Sequence, residues 1–566
     1  MSKADRLQYL TSNVINQDFL DETADNLTNK LEMIVDIETP TGFIRASDRN
    51  KYVDNVFYEA LLVFPVIRRT VGEWLSTAIE FSTVDLELTN VDGRFNEILP
   101  GGNSFGGWLG KTVVVKLGLR DVAATFQTIF SGKISDVGGF GRTVKSVRIV
   151  ARDKFDSLNI AFPNTVFTRG VFADIEDSEA GKIVPVIYGD WTVNVNPQAA
   201  SVPGIVVNGA LASVLTGATN LLIYISDNVN VFFDTDQVWL LRGSLYFKFD
   251  AADVVNVVDN RYFEILQNNV TTIAGSPFIF EKGDQFFVKV KGKDLGAYDN
   301  SIVSIAKDIL VSYGGLSDPA DFDANWDTFR DKVAPVQDAI SLMKARVWIQ
   351  DPQSVMEFVL SLFEQVRLEI FVDRNLKLKI NSLHFSDWIA LPAFEQKNWD
   401  IISGSFSPRI DVRNNFNRAK GQFNFNPDSD NNIAETSLFK NTAAITQAGK
   451  AISKRLVFPN LYEEDTVAYQ VIEMIKLGSA YIEIIELEAT WRSLLLDIGD
   501  FVSIDINIGA TVLTKVPAMV RSIGYDPQGI KIPMTLFSFQ MVPFVGHAPG
   551  FSGITGGSTA TIVEET

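Results

Sequence analysis

Residues 81–136 read FSTVDLELTNVDGRFNEILPGGNSFGGWLGKTVVVKLGLRDVAATFQTIFSGKISD, and this stretch decides how the chain is built. Val84, Leu86 and Leu88 alternate with Asp85, Glu87 and Thr89, the period-2 pattern of a strand with one dry face. Asp92-Gly93 follows and supplies residues that tolerate positive φ, a turn signal. A Gly/Asn/Ser loop leads into a strand over Thr112–Leu119, and further strands are predicted over 123–130 and 144–151. Several short strands joined by Gly-rich turns describe a small antiparallel barrel or sandwich. The same grammar returns in residues 481–524, so the chain reads as two β-barrel units with other material between them.

Working outward toward the N-terminus, residues 32–38 alternate as a strand, Thr39-Pro40-Thr41-Gly42 turns, and 43–46 returns. Residues 56–62 and 66–70 continue the pattern, which places the first barrel over 33–160. Each inward Val, Leu or Phe is worth roughly 1.5–3 kcal/mol when buried. Ahead of it, Val14, Phe19, Leu20, Ala24, Leu27 and Leu31 recur at helical spacing, giving an amphipathic arm over 1–32. Such an arm packs back on the barrel or docks on a neighbour.

Working outward the other way, residues 161–194 form a connector containing GKIVPVIYGDW. Its Pro185 confines that strand to an edge or a crossing. Residues 195–298 are again β-rich, with strands predicted over 221–226, 229–233, 237–241 and 285–290, and read as an inserted β module. Residues 299–399 change period. Ile302, Ile305, Ala306, Ile309, Leu310 and Tyr313 form a helical stripe, with Asn300 or Ser301 as N-cap and Gly314 past the end. A second helix over 351–366 has Pro352 in its first turn and a hairpin over 368–380 directly after it, completing a small α+β helix–hairpin domain. The second barrel spans 400–545, with a short helix over 465–477 and strands over 481–490, 501–506, 518–525 and 534–542. Residues 546–566, rich in Gly, Ser and Thr, form a flexible tail or a segment ordered by a partner. The fold class is mainly β with a smaller α+β part, in several domains, as 566 residues exceed one core of roughly 250–300.

Composition narrows the function classes. With 46% hydrophobic and 21% charged residues the chain is globular. Its 41 Phe against 9 Trp and 13 Tyr fit core and assembly contacts better than a stacking platform, because Phe carries no polar handle. A formal charge of −19 disfavours a grip on nucleic acid. Lys289, Lys291 and Lys293 alternate and form either a basic stripe or, by the plainer reading, a charged strand face that discourages sheet association. There is no cysteine, which excludes disulfides, thiolate metal sites and Cys nucleophiles. The first residues, MSKADRLQYLTSN, lack the apolar core of a signal peptide, and no run approaches the ~20 apolar residues of a membrane-spanning helix. The expectation is a soluble protein made inside a cell.

Candidate chemistry fails on spacing. Gly110-Lys111-Thr112 follows a glycine-rich run, but Phe105 stands where a phosphate loop needs glycine, and a strand follows where it needs a helix. His384 and His547 are the only histidines and read as surface or satisfied residues. The pairs Asp85/Glu87 and Glu486/Glu488 sit on polar faces of alternating strands, the ordinary solvated arrangement. Met356, Phe358, Phe363, Met474 and Ile475 read as core. No catalytic, cofactor-binding or metal-ligating residue is assigned, and the chain reads as a non-enzymatic assembly protein.

Several fragments, in their order and spacing, resemble the tail-tip or baseplate hub proteins of tailed bacteriophages, related to gene-transfer-agent tail components. They are FIRAS (43–47) with Tyr58, VDLELTN (84–90) with DGRF (92–95), IFSGKISDV (129–137), VRIVARDKFDSLN (147–159), IVPVIYG (183–189), the helix over 354–366 with VDRNLKLKI (372–380), and LEATWRSLLLDIGDFVSID (487–505). The likeness covers most of the chain apart from 195–295. It implies two tube-like barrels per protomer and a homotrimer forming a pseudo-six-fold ring. That ring would meet the distal tail protein or tail tube above and a central spike or fibre below, with a tape-measure protein as a further contact. It implies DNA passing without specific binding, for which an acidic lumen is suited, and a place in the virion. Residues 195–298 are the departure from the pattern and would decorate the outside. Two rival readings are a receptor-binding or fibre-type module for host surface glycans, and a secreted β-rich glycosidase.

Overall fold

The computed structural model describes residues 31–63, 67–70, 82–98, 107–119, 126–138, 145–192 except 174 and 176, 202–206, 221–226, 232–249, 254–256, 262–265, 284–296, 300–330, 344–373, 377–384, 394–397, 401–411 except 403, 415–427, 431–490, 493, 496–508, 511–525, 531–540 and 562–565. The helix expected over 13–31 lies outside them, save Leu31, which opens the strand Leu31–Thr39.

The protein is mainly β and built on several sheets. In Thr83–Thr89 exposed and buried residues alternate along the strand, as the sequence predicts, and Thr112–Leu119 falls where it was read. These strands belong to one 16-stranded sheet. Its path runs Ser407–Asp411, Tyr481–Ala489, Ile532–Gln540, Thr511–Tyr525, Ile67–Thr70, Thr83–Thr89, Ser146–Asp153, Gln127–Gly138, Thr112–Leu119, Leu31–Thr39, Gly42–Ser47, Val56–Ala60, Lys51–Val53. Off the path, Phe394–Lys397 pairs with Phe501–Ile508, which pairs with Thr511–Tyr525, and Leu62–Val63 pairs with Thr83–Thr89.

Two separate closed barrels were expected, and the described residues contain no closed barrel. The physical reason is the strand Ile67–Thr70. It takes Thr511–Tyr525 on one side and Thr83–Thr89 on the other, fusing both strand groups edge to edge. The N-terminal group curls far enough for Val56–Ala60 to touch Gly42–Ser47 and for Leu62–Val63 to touch Thr83–Thr89, each through two residue pairs. One apolar core underlies both groups, with Val35, Leu86 and Ile149 from the first and Ile485, Val520 and Leu536 from the second.

A seven-stranded antiparallel sheet is made from residues within 202–291. Two of its expected strands, 229–233 and 237–241, are one strand, Phe232–Arg242, with a register shift between Phe233 and Val238. The helices Ile302–Ser312 and Val355–Gln365 pack together over a second core. The latter starts later than expected: Gln353–Ser354 pairs with Ala161–Phe162, and Ser354 caps the helix through the Glu357 amide. Pro352 therefore precedes the helix instead of sitting in its first turn. A five-stranded sheet holds Arg418–Asn426 between Asn431–Glu435 and Leu438–Asn441 on one side and Ser453–Phe458 on the other, with helix Glu464–Ser479 against it. Of the expected C-terminal tail, Ile562–Glu565 pairs with Leu438–Asn441 as an added strand.

Candidate assembly surface

Ile67 is fully buried opposite Tyr525, and Thr70 lies opposite Ser522. At Gly524 an added Cβ would come within 2.7 Å of Pro533 Cγ, so this position holds the neighbouring strand close. Along the 16-stranded path the two terminal strands, Lys51–Val53 and Ser407–Asp411, each have one neighbour among the described residues. At the first end Tyr52 (73% exposed) and Phe57 pair at 5.2 Å between ring centroids, with Phe43 also exposed. Their hairpin is pinned from below: the buried Glu32 carboxylate takes Lys51 at 2.7 Å and Arg49 at 2.5 Å. The Lys51 ammonium also stands 4.6 Å from the Phe126 ring centre. At the second end Ser407, Pro408, Arg409 and Ile410 are exposed. Pro408 removes one donor there, a device compatible with an edge strand. The molecule thus presents two strand edges with apolar side chains beside them, one anchored by a buried ion pair.

The sequence-singled residues are scattered over this frame. Around Gly110-Lys111-Thr112, the Glu38 carboxylate accepts from the Thr112 amide at 3.0 Å and from Lys111 at 3.2 Å. These donors, the Thr112 amide foremost, hold the Glu38 carboxyl down at about 2. His384 is buried, with Nδ1 3.1 Å from Ser382 Oγ and Nε2 3.2 Å from Gln470 Oε1. His547 lies outside the described residues. Asp85 is bridged by Arg148, and Glu488 by Lys531 at 2.8 Å, while Glu486 lies 3.7 Å from Arg409. Met356, Phe358, Phe363 and Ile475 are core, and Met474 packs against it.

Neither reading of the lysine stripe holds. Lys289 is fully buried, because both faces of Gln285–Lys291 are covered, and Lys293 lies past the strand, 2.9 Å from Asp308. Burial first, and then the nearby Arg346 guanidinium, hold the Lys289 amine down at about 7.

That lysine belongs to a junction the sequence did not announce. Val186–Tyr188 pairs with Val347–Ile349 in a two-stranded ribbon between two cores. Ile187 and Trp348 face the core of the seven-stranded sheet, while Val186, Tyr188, Val347 and Ile349 face the helices. Arg346 stands 4.8 Å from the Trp191 ring centre and 5.0 Å from that of Tyr462, and burial pulls its guanidinium down to about 10. Tyr188 donates to Asp308 at 2.7 Å. Gly189 has a φ of +82°, and a Cβ there would meet the Ala345 carbonyl oxygen at 2.3 Å.

Among the described residues no group of three or more His, Asp or Glu could hold a metal ion, and no helix is long and apolar enough to cross a membrane. No family model matches the chain, and no curated protein matches it. Among solved structures it is similar to a tail protein from Neisseria meningitidis MC58, at 9% identity over 90% of this chain and 96% of that one, with a TM-score of 0.39. It is similar to the 43 kDa tail protein of prophage MuSo2 from Shewanella oneidensis, at 11% identity over 90% and 98%, with a TM-score of 0.39. A chain from the virion of a native gene transfer agent particle matches at 12% identity over 48% and 83%, with a TM-score of 0.21. These solved structures are tail and particle proteins, the group that the sequence fragments resemble.

Proposed function

We propose that the chain is a non-enzymatic structural hub of a bacteriophage tail tip, three copies of which close into a ring around the path of the ejected genome. The observation that carries this reading is the fusion of two strand groups through Ile67–Thr70 into one sheet whose two end strands each keep one neighbour among the described residues. Each copy then contributes two like wall segments, and three copies give six, matching a six-fold tube above while keeping three-fold symmetry below. A ring needs a heterologous contact, one end of a copy meeting the opposite end of the next. The pinned Tyr52/Phe57 hairpin and the Ser407–Asp411 edge are surfaces of that kind. Closure of each strand group into its own barrel is not required.

In this reading the segments 33–160 and 400–545 form the wall, and 299–399 braces it as a helix–hairpin unit. Residues 195–298 project outward, 161–194 connects, and the N-terminal arm ahead of Leu31 and the tail ahead of Ile562 reach neighbouring proteins. The partners are the distal tail protein or tail tube, the central spike or fibre and the tape-measure protein, with DNA passing unbound in the virion. The mass of the purified full chain in solution tests this. The expected value is three times 62.7 kDa; a single-chain mass at every concentration measured contradicts it.

A further inference from the structure

Three side-chain donors beside the ribbon are matched: Trp191 Nε1 donates to the Tyr188 carbonyl at 3.1 Å, and the Tyr188 hydroxyl and Lys293 both donate to Asp308. Two others are not. The Nε–H of Arg346 and the indole N–H of Trp348 are buried and have no acceptor in the chain. A buried donor without an acceptor costs about 1–3 kcal/mol, so each calls for a cause. Arg346 and Trp348 stand two residues apart in extended chain and so lie on one face of it. Trp348, opposite Ile187, packs against the core of the seven-stranded sheet, which fixes that face. From the sheet side comes Lys289, fully buried and close enough for the two cations to repel.

The carboxylates around this place are engaged elsewhere. Asp190 attracts Arg346 through space without a hydrogen bond, and its Oδ1 accepts from the Thr192 amide at 2.8 Å and the Thr192 hydroxyl at 2.5 Å. Glu463 is bridged to Lys344 at 3.3 Å, and Asp308 takes Lys293 and Tyr188. Arg346 is 3% exposed, so a partner's side chain does not reach it, and whatever meets these donors is small. A water molecule brings two hydrogens that need acceptors of their own, where Arg346 and Trp348 offer donors only. A halide-sized anion accepts without donating, and its charge relieves the repulsion between the two cations.

We propose that the ribbon junction binds one small monovalent anion of the size of chloride, held by Arg346 Nε and Trp348 Nε1 with the Lys289 ammonium beside it. The anion ties Val347–Ile349 to the seven-stranded sheet and so fixes that sheet against the helices. The site lies within one copy and is independent of ring closure, which a mass measurement reads separately.

Hydrogen exchange in Val186–Tyr188 and Val347–Ile349 of the full chain tests this, with sodium chloride set against sodium gluconate at equal ionic strength. Gluconate screens charge equally but is too large for the site. Chloride at about 0.5 M is expected to slow exchange there about tenfold relative to gluconate, with saturation, as a ligand of the closed state does. Trp348→Phe keeps a ring and deletes the N–H, and is expected to raise the half-saturating chloride concentration roughly tenfold. Arg346→Met keeps an apolar stem and abolishes the chloride effect. Each variant is compared with itself in the two salts, so its basal stability does not enter, and Trp348→Phe decides if Arg346→Met does not fold. Equal protection by the two salts, or a chloride effect undiminished in Trp348→Phe, overturns the proposal.

Discussion

Where the N- and C-terminal strand groups meet, Ile67, Ile523 and Tyr525 are buried in an apolar core; where the seven-stranded sheet meets the helices, Arg346 is buried beside Trp191 and Tyr462, and Lys289 is buried near Arg346. Both junctions exclude water, yet they do so with opposite materials. The seam gains from area removed from water, at about 25 cal/mol per Å² of apolar surface, and no charge need be satisfied. The ribbon junction bears desolvation costs for two cations and offsets part of them with ring faces. A wall under load suits the first kind of joint. The second kind favours one particular arrangement, because any other leaves a cation without its aromatic neighbours.

The largest effect is expected at the seam. Ile523→Asp places a carboxylate in the fused core and is expected to cost about 4 kcal/mol or more, with loss of a cooperative urea transition. An intact transition in that variant would mean the two strand groups are held together elsewhere. At the ribbon, Gly189→Ala is expected to cost about 3 kcal/mol, since the residue sits at positive φ and its Cβ meets main-chain atoms of Ala345 and Arg346. Hydrogen exchange should then accelerate in Val186–Tyr188 and Val347–Ile349 while Tyr481–Ala489 stays protected. Equal acceleration in all three would show the junctions to be one cooperative unit.

The buried lysine sharpens the contrast through pH. Its folded value of about 7 lies below the ordinary lysine value of 10.5. Between the two, the unfolded chain binds a proton that the folded chain does not. Stability therefore rises as pH climbs from 7 to 10.5 and gains nothing from this group below 7. Lys289→Met removes that slope and is expected to stabilise the protein by about 2 kcal/mol at neutral pH. A denaturation series across this range that shows the same slope in both proteins would refute the assignment. The smallest effect is expected on the solvated face, where Arg148→Ala, which removes the bridge to Asp85, should leave the urea midpoint unchanged.

How much of this was legible in the sequence depended on the distance over which a residue is constrained. Val84, Leu86 and Leu88 declare their strand because one dry face is enough to impose alternation. The helix stripe Ile302, Ile305, Ile309 and Leu310 is visible for the same reason at helical spacing. The pairing of Ile67–Thr70 with Thr511–Tyr525 could not be read, since four ordinary strand residues carry no mark of a partner so far away in the chain. Lys289 misled because alternating lysines look like a solvated face, whereas Val288 and Val290 are buried as well and leave the strand with no wet side. The two exposed sheet edges were legible only as classes of element. The exposure of Tyr52 and Phe57 and the buried Glu32 beneath them follow from how the N-terminal sheet curls.

In the proposed assembly three copies, each giving two wall segments, surround one bore. Electron cryo-microscopy of the purified full chain tests it most directly. The expected image is a three-fold ring with six wall segments, formed by 33–160 and 400–545 of each copy, and the seven-stranded sheets on the outside. A single compact copy, or a ring whose bore is lined by residues 202–291, would contradict it.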